Sequence, residues 1–142
     1  MVVRLIIPLA CVVISFLWPL PLHADQTLRK TVLLERVIDG DTFVASGLKI
    51  WLWGIDAPER GEPYYDNSRV LLEEILRSGG LRCAPVDRDR YQRFVMQCSS
   101  DDADIGALMV RAGFARDYRR YSKGYYAQEQ EAAQSAGAGL WN

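Results

Sequence analysis

The residues best placed to do chemistry are the acids of two short segments, Asp39-Gly40-Asp41-Thr42 and Ile55-Asp56-Ala57-Pro58-Glu59. Asp41, Asp56 and Glu59 each stand where a short apolar run gives way to a turn, so backbone geometry can aim their carboxylates at one point. Oxygen donors gathered in this way suit a hard cation. Ca²⁺ takes several oxygen ligands at short range, and two carboxylates, a loop carbonyl and waters leave an open position for a phosphate oxygen. Either segment alone is more readily a plain turn, because Asp, Gly and Pro fill turns for backbone reasons. A second set of candidates is basic and aromatic. Arg93 follows Asp89-Arg90-Tyr91-Gln92 with Arg88 close by, and from Arg116 onward Arg119, Arg120 and Lys123 are interleaved with Tyr118, Tyr121, Tyr125 and Tyr126. Guanidinium forks suit phosphate and aromatic faces stack on bases, which is the composition of a nucleotide-binding rim. A lone strand arginine is by default a solvated surface charge, and it is this company that makes Arg93 a candidate. For Tyr125 and Tyr126, at the start of a helical stretch, packing onto the body of the domain is the expectation.

Taken together, Val37-Ile38-Asp39-Gly40-Asp41-Thr42, Leu52-Trp53-Gly54-Ile55-Asp56-Ala57-Pro58-Glu59 and Asp89-Arg90-Tyr91-Gln92-Arg93 closely resemble the staphylococcal nuclease (thermonuclease) family. The resemblance runs from about Val32 to Gly139-Leu140-Trp141. It implies hydrolysis of phosphodiester bonds in DNA or RNA, with Ca²⁺ held by Asp41, Asp56 and the backbone carbonyl of Ala57. It also implies that Glu59 orients or deprotonates the attacking water and that Arg93 stabilises charge on phosphorus and the leaving oxygen. Arg90 and Tyr91 match positions that hold a terminal phosphate, and Tyr118 or Tyr121 matches a base-stacking tyrosine. One position departs from the pattern. The family places a second arginine five residues before the aspartate matching Asp56, and this chain has Trp51 there. An indole carries no charge and one donor, so weakened hydrolysis is the expectation, with Lys49 on the same strand face as a substitute charge. Two rivals stand beside it: a domain that kept the barrel but lost turnover and serves as a binding module, and a cell-envelope protein acting on another polyanion.

The elements that must position these groups are legible in outline. Residues 1–24 read as a secretory signal, with Arg4, an apolar run from Leu5 to Leu17 and Leu22-His23-Ala24 as the cleavage site. A retained anchor is the alternative, but Pro8, Pro19 and Pro21 cut the apolar stretch below the roughly 20 residues a spanning helix needs. Residues 25–142 then form one domain, secreted or periplasmic, expected to be a monomer without stable membrane association. Formal net charge is only −1, so a polyanion must be captured locally and not by the overall field.

Cys11 leaves with the signal, and Cys83 and Cys98 remain as one pair in a chain bound for an oxidising compartment. They flank two strand-like runs, Leu81 to Val86 and Arg93 to Cys98. A hairpin folding about Arg90 and Tyr91 sets them directly opposite, where a disulfide is feasible at a non-hydrogen-bonded pair. Thr31 to Ile38, Thr42 to Ser46 and Leu48 to Trp53 read as a three-stranded meander, and residues 25–30 as a loose lead-in. Helices are predicted over Ser68 to Arg77 with Val70, Leu71, Ile75 and Leu76 inward, over Asp104 to Ala112 with Ile105, Leu108 and Met109 inward, and over Tyr125 to Ala136. Five strands with three helices inserted and appended in this order predict an α+β fold, a five-stranded Greek-key OB-type barrel.

Overall fold

The computed structural model describes residues 30, 31 and 33–142. The expected export signal, residues 1–24, lies outside them, and among the described residues no helix is long and apolar enough to cross a membrane. Lys30, expected in the lead-in, already belongs to a strand. The elements are β1 (Lys30–Thr31), β2 (Leu34–Val37), β3 (Thr42–Ala45), β4 (Leu48–Leu52), β5 (Ile55–Asp56), α1 (Tyr65–Ser78), β6 (Leu81–Arg88), β7 (Phe94–Ser100), β8 (Ala103–Asp104), α2 (Ile105–Arg111), β9 (Arg116–Asp117), α3 (Arg119–Ser122) and α4 (Ala127–Ser135), closed by a 3₁₀ turn at Gly139–Trp141.

The main sheet is mixed and runs β1-β6-β7-β4-β3-β2, with β8 beside β7 and a separate β5-β9 ribbon. Its one parallel pairing joins β4 to β7, and the long excursion through α1 and β6 makes that pairing possible. β1 and β2 end the path on opposite sides although only residues 32 and 33 separate them, so the first run of chain bridges both edges of the sheet. The meander closes at Ser46-Gly47, where both residues have positive φ, 49° and 74°. That is the two-residue hairpin loop whose twist matches the flanking strands, and glycine takes its second position without strain. All four β3 residues are buried, which explains why Thr-Phe-Val-Ala shows no polar alternation.

The cysteine hairpin has the expected register, with Cys83 opposite Cys98, Cα atoms 4.1 Å apart, and a disulfide between them. A bulge at Val86 then shifts the pairing so that Arg88 faces Phe94, placing Arg93 in the turn just before β7. Helix faces differ from the sequence reading. α1 buries Ser68, Leu72 and Leu76, while Val70 is exposed; the stripe is set by Ser68, whose Oγ donates to the Phe114 carbonyl at 2.7 Å. α2 buries Ile105, Met109 and Val110 and turns Leu108 outward, because Asp104 caps the helix through the Ala107 N–H at 3.0 Å and also accepts from Tyr126 Oη and Gln97 Nε2. That shared carboxylate fixes the rotation of α2 against β7 and α4. The core therefore gathers Phe43, Ile50, Leu52, Ile55, Leu72 and Met109, all essentially without solvent contact. Tyr126 joins it as expected, whereas Tyr125 is exposed.

Replacing Cys83 and Cys98 together by alanine removes a cross-link that spans 15 residues, and the unfolding free energy measured by denaturant titration should fall by about 3 kcal/mol. An unchanged midpoint would show that the staple is dispensable.

Candidate active site

The acidic edge forms where β2 hands over to β3. Ile38 and Asp39 both donate to the Thr42 carbonyl, at 2.9 and 3.2 Å, and fold the turn tightly. Gly40 lets that turn sink against α1, since a Cβ there would overlap Ser68 Oγ and stand 2.9 Å from Ala57 Cβ. Asp41 is thereby carried inside, 7% exposed. Its Oδ2 accepts from the Ala57 N–H at 3.1 Å and its Oδ1 from Thr42 Oγ1 at 2.8 Å. Loss of water pushes its pKa up to about 7, assisted by the charge and hydrogen bonding of Asp39 and opposed by the bonds from Thr42 and Ala57. Among the described residues no cation is paired with it.

Asp56 ends β5 opposite Arg116 of β9. Its pKa is raised by desolvation and by Glu62, against the pull of Arg116. Glu59 lies on the exposed loop that follows, where its N–H donates to Glu62 Oε2 at 2.8 Å and its carbonyl accepts from the Glu62 N–H. The donors match a hard cation in kind: they are oxygens, and Asp39 and Asp41 crowd negative charge where positive charge is missing. Among the described residues no three acidic, histidine or cysteine side chains converge as a ready-made cage. A cation here would be held by Asp41, Asp56 and the Ala57 carbonyl, with solvent completing its shell.

The basic and aromatic candidates do converge. Arg90, Tyr91, Arg93, Tyr118 and Tyr121 line one cleft of about 480 Å³ together with Trp51 and Arg120. Asp89 organises it: its Oδ1 accepts from the Arg93 backbone N–H at 2.9 Å and its Oδ2 from Arg93 Nε at 2.6 Å. Desolvation would raise the Asp89 pKa, but the bonds and charge of Arg93 and the Tyr91 N–H outweigh it and hold that carboxyl below its usual range. The Arg93 guanidinium lies 4.7 Å over the Trp51 ring and 5.8 Å from the Tyr91 ring, and Arg90 lies 4.8 Å over Tyr91. Trp51 itself is buried edge-on against Tyr118 and Tyr121, at 6.1 and 5.5 Å between centroids. Lys49, the expected substitute charge, is exposed and is not among the residues lining the cleft.

Asp41, Asp56, Ala57 and Glu59 do not line that cleft; the link between the two sets is the β3–β4 ladder, where Trp51 is the register partner of Thr42, next to Asp41. The Asp41 carbonyl accepts from the Leu52 N–H at 2.8 Å, tying the two strands at that point. Two contributors escaped the sequence reading as site residues. Asp39 acts on Asp41 and Asp89 positions Arg93; both stand inside the quoted motifs, and the signal for each was its place two or four residues from the group it holds.

A sequence profile described as staphylococcal nuclease homologue matches residues 49–142. The chain belongs to that family. It is 33% identical over 126 residues to an "Uncharacterized endonuclease" of Haemophilus influenzae, covering 84% of this chain and 71% of that one. An "Uncharacterized endonuclease" of Escherichia coli is 32% identical over 145 residues, covering 98% and 90%. The "Succinoglycan biosynthesis protein ExoI" of Rhizobium meliloti is 37% identical over 117 residues, and the match spans 74% of this chain and 61% of that protein. Relatives named as nucleases thus support nuclease function in general.

Asp41 gives a testable pH dependence. Its folded pKa of about 7 lies above the ordinary 3.8, so the folded state binds more protons than the unfolded one between those values, and stability falls as pH rises through that window. In the absence of divalent cations, Asp41→Asn should therefore unfold later than the parent protein at pH 8 but not at pH 4, by thermal or denaturant melting. Adding Ca²⁺ at pH 8 should raise the melting temperature of the parent and leave the variant unmoved. Parallel curves for the two proteins across the range would refute the assignment.

Proposed function

We propose that the protein is an exported, monomeric, Ca²⁺-dependent phosphodiesterase that hydrolyses DNA or RNA, working as residues 25–142 outside the cytoplasm after loss of residues 1–24. The observation that carries this reading is Arg93, fixed by Asp89 in an arginine-rich cleft that adjoins the buried, uncompensated Asp41 across the Thr42–Trp51 pair. We read the sheet as a five-stranded Greek-key OB-type barrel, counting Lys30–Val37 as one bent strand that closes it.

In this reading Arg93 binds the scissile phosphate. With Nε engaged by Asp89, it offers its terminal nitrogens to the charge that builds on the phosphoryl oxygens. Arg90 and Tyr91 hold a neighbouring phosphate at the cleft mouth, and Tyr118 and Tyr121 supply aromatic faces to bases. Glu59, free to swing on its exposed loop, positions the attacking water and accepts its proton. Asp41, Asp56 and the Ala57 carbonyl would hold Ca²⁺, which when bound neutralises phosphate charge and lowers the barrier to attack.

Trp51 limits the rate. It fills the second arginine position with a ring that braces Arg93 from below, so orientation is kept while one clamp is lost. A missing preorganised donor costs about 10²- to 10³-fold, and a transition-state arginine about 10³- to 10⁵-fold. Enzymes start from accelerations of order 10⁶ to 10¹⁷, so such a loss slows hydrolysis without abolishing it. The burial of Trp51 between Tyr118 and Tyr121 also favours a second reading, a module that binds a polyanion without turning it over.

The two readings separate in one assay on single-stranded DNA with and without chelator. A slow enzyme gives cleavage that chelator abolishes, Arg93→Gln lowers it by at least about 10³-fold, and Trp51→Arg raises it by about 10²-fold. Absence of chelator-sensitive cleavage at high protein concentration, with an intact melting transition, would leave the binding module as the surviving reading.

A further inference from the structure

A second arginine-rich depression lies outside the cleft and was not visible in the sequence, because three separate elements build it. Its volume is about 670 Å³, and it is lined by Arg36, Val37 and Ile38 from the end of β2, Arg60 and Gly61 from the loop after Glu59, and Tyr65, Asp66 and Arg69 from the start of α1. We propose that this groove binds the sugar–phosphate backbone of the nucleic-acid strand beyond the reacting phosphate, so that the substrate runs past the acidic edge with arginines on both flanks. The proposal rests on the phosphodiesterase reading above and names what that site takes: a strand several nucleotides long, not a dinucleotide.

Three observations carry it. The first is charge. Three arginines line the groove with a single acidic residue, Asp66, on a chain whose overall net charge is −1. Arg36 and Arg60 are exposed, and among the described residues their side chains make no ion pair or hydrogen bond. Arg69 is only loosely engaged, 3.5 Å from a Glu73 carboxylate that Arg77 already holds through Nε at 3.0 Å and a terminal nitrogen at 2.8 Å. Two arginine side chains without an acidic partner and a third held at 3.5 Å favour an arriving anion, and guanidinium forks match phosphate oxygens.

The second observation is position. Ile38 and Arg60 are the immediate chain neighbours of Asp39 and Glu59, so the groove begins where the acidic edge ends. The Trp51–Arg93 cleft borders the same edge through Thr42. A strand bound in one depression is thereby led toward the other.

The third is the character of the lining. Its floor is fixed, since Tyr65 Oη donates to the Ile38 carbonyl at 3.0 Å and ties α1 to the end of β2. Among the described residues Tyr65 is also the only aromatic ring in the lining, and it is half-buried with its hydroxyl engaged. A groove with guanidinium groups and no free stacking surface reads phosphates and not bases, so its contribution is independent of sequence.

The test compares the parent protein with the triple variant Arg36→Gln, Arg60→Gln, Arg69→Gln, using a long single-stranded oligonucleotide and a dinucleotide as probes. Fluorescence anisotropy of the labelled oligonucleotide is followed against salt, and turnover of the dinucleotide is measured in parallel. With three phosphate contacts removed from a single strand, the affinity lost between about 50 and 200 mM salt should shrink by about 20-fold relative to the parent. Dinucleotide turnover should be the same in both proteins. Equal affinity and equal salt dependence for the oligonucleotide would overturn the proposal and leave the enzymatic reading intact. If the parent cleaves neither probe but shows the arginine-dependent salt slope, the groove stands and the catalytic reading falls. If dextran sulfate displaces the oligonucleotide and binds more tightly with the same arginine dependence, the groove serves a polysaccharide and the nucleic-acid assignment is overturned.

Discussion

The hydrogen bond from the Ala57 N–H to the Asp41 carboxylate is the constraint on which the site depends. It joins the end of one hairpin to the loop leaving the next, and it forms because Gly40 lets the intervening turn press on Ser68 of α1. The cost is a carboxylate held inside with another acid beside it and only neutral donors around it. Burying such a group is unfavourable unless something positive arrives, and that is a physical reason to look for a cation there. The fold sets aside stability at this point that ligand binding would return.

Trp51 shows how one substitution reorganises a cleft without dissolving it. The indole gives Arg93 a surface to lie on and gives Tyr118 and Tyr121 an edge to pack against, so the basic rim remains ordered. An indole has no guanidinium fork, so the cleft is ordered around Arg93, which Asp89 holds and the ring supports.

Local features were legible in the sequence, and relations between distant segments were not. The paired cysteines were legible from their even spacing about Arg90 and Tyr91, but the pairs next to the turn, such as Arg88 with Phe94, centre on Tyr91, and the bulge at Val86 restores the pairing of Cys83 with Cys98. Strand runs were recognised by their β-branched and aromatic content, yet the two-residue strands β5, β8 and β9 carry too few residues to leave a pattern. Helical periodicity places Val70 and Leu108 on the inward faces, and both are exposed. The rotation of each helix is set instead by polar anchors, Ser68 to the Phe114 carbonyl and Asp104 to its own first turn, which a periodicity argument does not weigh. Trp51 was recognised as a departure, but its packing against Tyr121 brings together residues far apart in the chain. The arginines of the second groove were invisible for the same reason: no two of them share an element.

Acidic edge and arginine cleft act as one site only if cation and phosphate are bound side by side. Calorimetric titration of Ca²⁺ into the protein, alone and then saturated with a nucleoside bisphosphate, measures that directly. Markedly tighter Ca²⁺ binding in the presence of the bisphosphate is the result expected here. Identical binding in the two titrations would mean that Asp41 and Arg93 serve separate ends.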